Sequence, residues 1–400
     1  MNGNTGFDYA AMPDVALDEE TLLAAARAKT GLADFGDDAD WREGFALLVR
    51  CLNDEARLNK AGRLIAFGEL SRHLENRLRV TDDIKRNPSI LDVEIRKPVF
   101  MMGLPRTGST IMHDLLAQDP DNRVPLTWEC NYMSPPPEKA TYETDPRIAA
   151  CEEHFERTSR LLIPEFQAIH EMGARLAQEC LMLNAFDFKS IIFPNQFWVP
   201  TYQRWVMASD NLSVYRTHKR LLQYMQWKNP RARWVLKSTG YWGLDAILSV
   251  YPDAQIVMTH RDPVKLIASH CSLVSVACSM GSDDVNRIEI GQLWSATWED
   301  AMRRMVVFKK SGRADAIGVF DMYFAEMVKD QVAMAKRIYA HFGLPMTPLA
   351  EQRMRDFIAR NPKERHGTHR YTLEQSGLDP VRERERCRFY QEYFNVPNEG

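Results

Sequence analysis

The run Gly103-Leu104-Pro105-Arg106-Thr107-Gly108-Ser109-Thr110 sets two glycines in a Gly-x-x-x-x-Gly frame. Between a strand and a helix, such a loop turns backbone N–H groups and the positive helix end toward an anion such as phosphate. The nucleoside-triphosphatase form needs lysine directly after the second glycine. Ser109 stands there instead, so the side chain that reaches the β and γ phosphates is missing. Arg106 is the cation within the loop. The strand best placed to end on a magnesium-holding aspartate runs into His260 and Arg261. An arginine in the loop and no metal aspartate suit an anion neutralised by side chains and not by Mg²⁺.

Arg261 marks a second basic corner. It follows the apolar run Gln255-Ile256-Val257-Met258-Thr259, and Ser269 lies eight residues further on, about two turns along the next helix. Both side chains can face one anion. Two anion-binding corners on strands of one sheet imply a ligand with two separated anionic groups, held in the crevice outside the strand ends.

The elements that must position these residues are legible in the apolar pattern. From Asp18 to about Asn87, apolar residues recur at three- and four-residue intervals (Leu22, Leu23, Ala26; Phe45, Leu48; Leu64, Phe67, Leu70, Leu74), which predicts helices with one buried face. A change of character at Lys97-Pro98 divides a helical segment, 1–95, from the remainder, 96–400. Three strand-then-helix units follow, with strands at Val99 to Met102, Arg233 to Leu236 and Gln255 to Thr259, and a fourth strand is placed at Ala316 to Phe320. Repeated strand–helix units argue for an α/β fold of the P-loop type, a parallel sheet flanked by helices and preceded by a helical segment. The long, mostly helical stretch between the first two units carries Trp198, Trp205, Trp227, Trp234 and Trp242. It can wall an acceptor pocket, although each tryptophan taken singly reads as core.

Composition narrows the function classes. With 45% hydrophobic and 26% charged residues over 400 positions, the chain is neither disordered nor membrane-embedded. Its net charge of −3 recommends no nucleic-acid partner. The 7 cysteines are widely spaced with no Cys-x-x-Cys pair, which suits a reducing compartment. No stretch is long and apolar enough for a membrane span, and the first twenty residues contain no lysine or arginine, so a cytoplasmic protein without a secretory signal is expected.

In this order and spacing the motifs resemble those of the sulfotransferases that use 3′-phosphoadenosine 5′-phosphosulfate, in particular the bacterial and tyrosylprotein sulfotransferase-like branch. The 103–110 loop resembles that family's 5′-phosphosulfate loop. The run from Tyr251 to Pro263, with Arg261 and the later Ser269, resembles its 3′-phosphate site. Lys237 falls where the cytosolic branch has a lysine, and His341-Phe342-Gly343-Leu344-Pro345 is similar to a late structural phrase of the branch. The resemblance spans about residues 97 to 345. It implies sulfuryl transfer to an acceptor hydroxyl, with Arg106, Thr107, Gly108, Ser109, Thr110, Arg261 and Ser269 binding the co-substrate, Lys237 steadying the sulfuryl or bridging oxygens, and no metal.

The chain departs from the cytosolic pattern at Thr239, which stands where that branch places a catalytic histidine. The tyrosylprotein branch implies a glutamate as general base, and Glu129 lies nearest its position. The plainer reading is that Glu129 caps a helix or pairs with Arg123. His170 is the reserve base, and Arg365, His366, His369, Arg370 and Tyr371 form a basic cluster that could close over the nucleotide. The run Arg382-Glu383-Arg384-Glu385-Arg386 reads as a solvated helix face. The acceptor is expected to be a partly apolar small molecule. An ATP-dependent phosphotransferase and a non-catalytic nucleotide-binding module are the rival readings.

Overall fold

The computed structural model describes residues 13–36, 40–157, 171–239, 241–361 and 372–399. Five parallel strands form the central sheet: β1 (Val99–Gly103), β2 (Asn122–Arg123), β3 (Arg233–Thr239), β4 (Gln255–His260) and β5 (Phe320–Tyr323), in the order β2-β3-β1-β4-β5. The strands β1, β3 and β4 are buried on both faces, as a helix-covered parallel sheet requires. Alternation sorts their side chains. Phe100, Met102, Leu236 and Ile256 enter one apolar core, while Val99, Met101, Val235 and Val257 enter a second on the opposite face.

The helices Glu19–Thr30, Asp40–Asp54 and Lys60–Arg86 do not form a core of their own. Leu22, Phe45, Leu48, Leu70 and Leu78 join Phe100 and Leu236 in a single cluster. Trp234 is buried in that cluster, and Trp198, Trp205, Trp227 and Trp242 pack against it half-buried.

Three strands lie where the apolar runs place them, each extended by one to three residues. The fourth is shifted. Residues Arg313–Ala316 are helical, Gly318 turns the chain with φ 67°, and the strand begins only at Phe320, where Val257–His260 offers a partner. The two-residue β2 has no counterpart in the pattern reading.

The charge run at 382–386 is also corrected. In the helix Pro380–Phe394, Glu383 is buried and accepts from Ser295 and Arg386, Arg386 also binds Glu299 at 2.6 Å, and Arg384 binds Asp262. Alternate charges thus dock this helix onto the body of the molecule. His170 and the cluster 365, 366, 369, 370 and 371 lie outside the described residues.

Candidate active site

Chain order reverses on either side of β1, whose neighbours are β3 and β4, and a crevice opens at such a switch point beyond the strand ends. The register makes those ends level: Gly103 is opposite Thr239 on one side and Thr259 on the other. Gly103 has no alternative there, since a Cβ would lie 1.8 Å from the Thr259 hydroxyl. That hydroxyl holds the loop, meeting the Thr107 hydroxyl at 2.6 Å, while Thr107 also donates to Leu104 O at 2.8 Å. The Thr107 side chain therefore points into the protein and shapes the loop from beneath.

Arg106 and Gly108 both adopt positive φ, 63° and 83°. The first is uncommon for a residue with a side chain and, within an anion-binding loop, motivates a functional reading. The helix Ser109–Leu116 starts directly from Gly108 with no side-chain cap, so the first-turn N–H groups face the crevice without an intrahelical acceptor.

The two arginine corners are one site. Arg106 Nε donates to Ser269 Oγ at 3.0 Å, and Arg261 donates through one terminal nitrogen to the Arg106 carbonyl at 2.7 Å. The Arg261 guanidinium lies 3.9 Å above the Phe324 ring, and its remaining edge, Nε with the other terminal nitrogen, grips the Glu399 carboxylate by two bonds of 2.8 Å. Arg106, Ser269 and Arg261, distant in sequence, thus form one chain of hydrogen bonds beside the loop.

On the other side of the loop, Lys237 Nζ donates to Thr110 Oγ1 and to Glu179 Oε1, each at 2.6 Å, and Thr239 Oγ1 donates to Glu179 Oε2 at 2.6 Å. Glu179 precedes the short helix Cys180–Asn184 and was not singled out from the sequence. The only hint was the departure at Thr239: a residue too short to act as the base leaves room for a carboxylate from elsewhere. Asp114, one turn beyond Thr110, faces the same lysine. Burial lifts its carboxyl to about 7, against the opposing pull of Lys237. Burial also holds His113 neutral, down to about 4, and His270 down to about 3, the latter helped by the charge of Arg106.

Glu129 does not join this group. It is 1% exposed, receives Arg123 at 2.6 Å and the Tyr142 hydroxyl at 2.9 Å, and accepts the Leu126 N–H at 3.0 Å at the start of its own helix. Arg123 in turn donates to Met225 O and lies over the Trp234 ring at 4.8 Å. Glu129 both caps its helix and pairs with Arg123, and its two oxygens are committed to a buried network that ties β2 to the helices beside it.

The fold and this loop define a P-loop-like nucleotide-binding α/β protein whose loop carries Arg106 within it and Ser109 at the lysine position. The sulfotransferase family model matches residues 98–348, and the chain belongs to that family. It is a sulfuryl-transferring enzyme, and the family implies 3′-phosphoadenosine 5′-phosphosulfate as co-substrate. The chain is similar to the sulfotransferase STF9 of Mycobacterium avium, with 29% identity, a TM-score of 0.85, and coverage of 98% of this chain and 100% of that one. It is similar to the sulfotransferase STF1 of Mycobacterium tuberculosis at 31% identity and TM-score 0.80, over 93% and 98% of the two chains. These matches take in the amino-terminal helices, which lie before the family-model range. The omega-hydroxy-beta-dihydromenaquinone-9 sulfotransferase Stf3 of Mycobacterium bovis shares 22% identity over 296 residues, 70% of this chain and 71% of its own length. Among the described residues no helix is long and apolar enough to cross a membrane.

Proposed function

We propose that the crevice beyond β1, β3 and β4 binds the co-substrate with its phosphosulfate on the 103–110 loop and its 3′-phosphate at Arg261 and Ser269, and that Glu179 is the general base. The residues fit a ligand with two anionic groups: open first-turn N–H groups and Arg106 at one corner, the Arg261 guanidinium at the other. Bound there, the co-substrate supplies a sulfuryl group on a good leaving phosphate. Arg106 and the loop amides stabilise charge gathering on that phosphate. Lys237 has three N–H donors, of which Thr110 and Glu179 take two, so the third is available to the bridging or sulfuryl oxygens.

The observation that carries the base assignment is the Glu179 carboxylate on Thr239, in the place where a histidine would otherwise work. There Glu179 takes the proton of an acceptor hydroxyl as that oxygen attacks sulfur in line with the leaving oxygen. Lys237 holds the Glu179 carboxylate in place through its bond to Oε1 at 2.6 Å. The acceptor is a hydroxyl on a partly apolar small molecule. The tryptophans packed about the insertion support this, as does the omega-hydroxylated dihydromenaquinone in the name of the Mycobacterium bovis relative.

The test uses radiolabelled donor and a panel of primary alcohols, phenols and ω-hydroxylated menaquinones. Glu179→Gln is expected to bind adenosine 3′,5′-bisphosphate as the wild type does and to transfer sulfuryl about 10²- to 10⁴-fold more slowly. Transfer at the wild-type rate would remove Glu179 from the chemistry.

A further inference from the structure

The guanidinium of Arg261 offers an incoming phosphate very little in the conformation observed. One terminal nitrogen is bound to the Arg106 carbonyl, the ring of Phe324 covers a face, and the forked edge made by Nε and the second terminal nitrogen is occupied by both oxygens of Glu399. A carboxylate on that fork has the same planar, two-oxygen geometry that a phosphate presents.

The contact is built, not incidental. Beyond the helix Pro380–Phe394, Asn395 reverses the chain with φ 53°, and Gln391 fastens the segment by donating to Val396 O at 3.2 Å and to Asn398 Oδ1 at 2.9 Å. Arg384 also donates to Asn398 and spans to Asp262 with bonds of 2.9 and 3.0 Å, while the Glu399 N–H donates to Asp262 Oδ2 at 2.8 Å. The strand-end pair Arg261-Asp262 is thereby clasped twice, backbone to Asp262 and carboxylate to Arg261. The Glu399 side chain can leave while the anchors at Asn398 and Asp262 stay, so exchange requires a rotamer change and no unfolding.

We propose that Glu399 is an intramolecular stand-in for the 3′-phosphate, competing with the nucleotide for the forked edge of Arg261. The proposal rests on the assignment of Arg261 to the 3′-phosphate. It gives the enzyme a partner for Arg261 at every stage. The arginine passes from carboxylate to phosphate on binding and back again as the spent 3′,5′-bisphosphate departs, so no step leaves a half-buried guanidinium unpaired. The competition lowers affinity for any 3′-phosphorylated nucleotide by the fraction of time the fork is free, and speeds product release by the same device.

The test is calorimetric titration of the full chain with adenosine 3′,5′-bisphosphate and, separately, with adenosine 5′-monophosphate, for the wild type, Glu399→Gln, Arg261→Ala and the double variant. If the carboxylate holds the fork about nine-tenths of the time, Glu399→Gln tightens the bisphosphate about tenfold. The monophosphate, which brings nothing to Arg261, should bind both proteins alike, and in the Arg261→Ala background the Glu399 change should have no effect. Weaker bisphosphate binding by Arg261→Ala, together with unchanged binding by Glu399→Gln, would overturn the stand-in and leave the site assignment standing. Unchanged bisphosphate binding by Arg261→Ala would overturn the site assignment and the stand-in with it.

Discussion

Glu129 and Glu179 each bind a cation at 2.6 Å, but what surrounds the pair separates their roles. Around Glu129 the oxygen contacts are structural ones, and its partner Arg123 is 3% exposed with further bonds to Met225 and Tyr142. Removing the negative charge leaves Arg123 buried without its counter-charge. Glu129→Gln is therefore expected to destabilise the fold by about 3 kcal/mol, read as a lower urea midpoint at unchanged slope, while the folded protein keeps its nucleotide affinity. Wild-type stability combined with lost sulfuryl transfer would return the base role to Glu129. Glu179, a quarter exposed and bonded to two side chains of the strand end, has the access to an acceptor that Glu129 lacks.

At the scale of elements, the loop depends on how closely β1 and β4 approach. Gly103 is level with Thr259, and the Thr107–Thr259 hydroxyl pair transmits that packing to the loop. Gly103→Ala should cost about 1 to 3 kcal/mol of stability, because the new methyl group meets the Thr259 side chain in a packed interior. Thr259→Ala removes the obstruction but also the hydroxyl pair, so the two changes should be strongly non-additive in a double-mutant cycle. Additive effects would mean that the strands approach less closely than a 1.8 Å Cβ contact requires.

The same elements show what a sequence carries and what it does not. The apolar runs at Val99 to Met102, Arg233 to Leu236 and Gln255 to Thr259 are long enough and buried enough on both faces to be read directly, as were the glycine frame and the strand-end Arg261. β2 is two residues long and exists only because Arg233 and Trp234 lie beside it. A five-residue pattern around Ala316 to Phe320 is equally compatible with a helix and a strand, and the partner β4 decides it further along. The helix at 380–394 read as solvated because its charges alternate in sign. The counter-charges that bury it, Asp262 and Glu299, lie far away in sequence. Glu179 is 58 residues from Lys237 and belongs to no motif, and Glu399 is 138 from Arg261. Such pairs follow from topology alone.

Over the whole molecule, one continuous core joins the amino-terminal helices to the sheet, and all the basic groups assigned to the co-substrate gather beyond the carboxyl ends of its central strands. The net charge of −3 gives no sign of this local gathering of cations. In the proposed assignment, Arg106, Ser269 and Arg261 select a nucleotide anionic at both the 5′ and 3′ positions. With Ser109 in place of the phosphate-reaching lysine, a triphosphate gains little from the loop. The most direct measurement of this claim is calorimetric titration of the wild-type protein with adenosine 3′,5′-bisphosphate, with and without magnesium, beside ATP with magnesium. The structure predicts tight binding of the bisphosphate at equal strength with and without the metal, and little heat from ATP. Preferential binding of ATP with magnesium would contradict the assignment of both arginine corners.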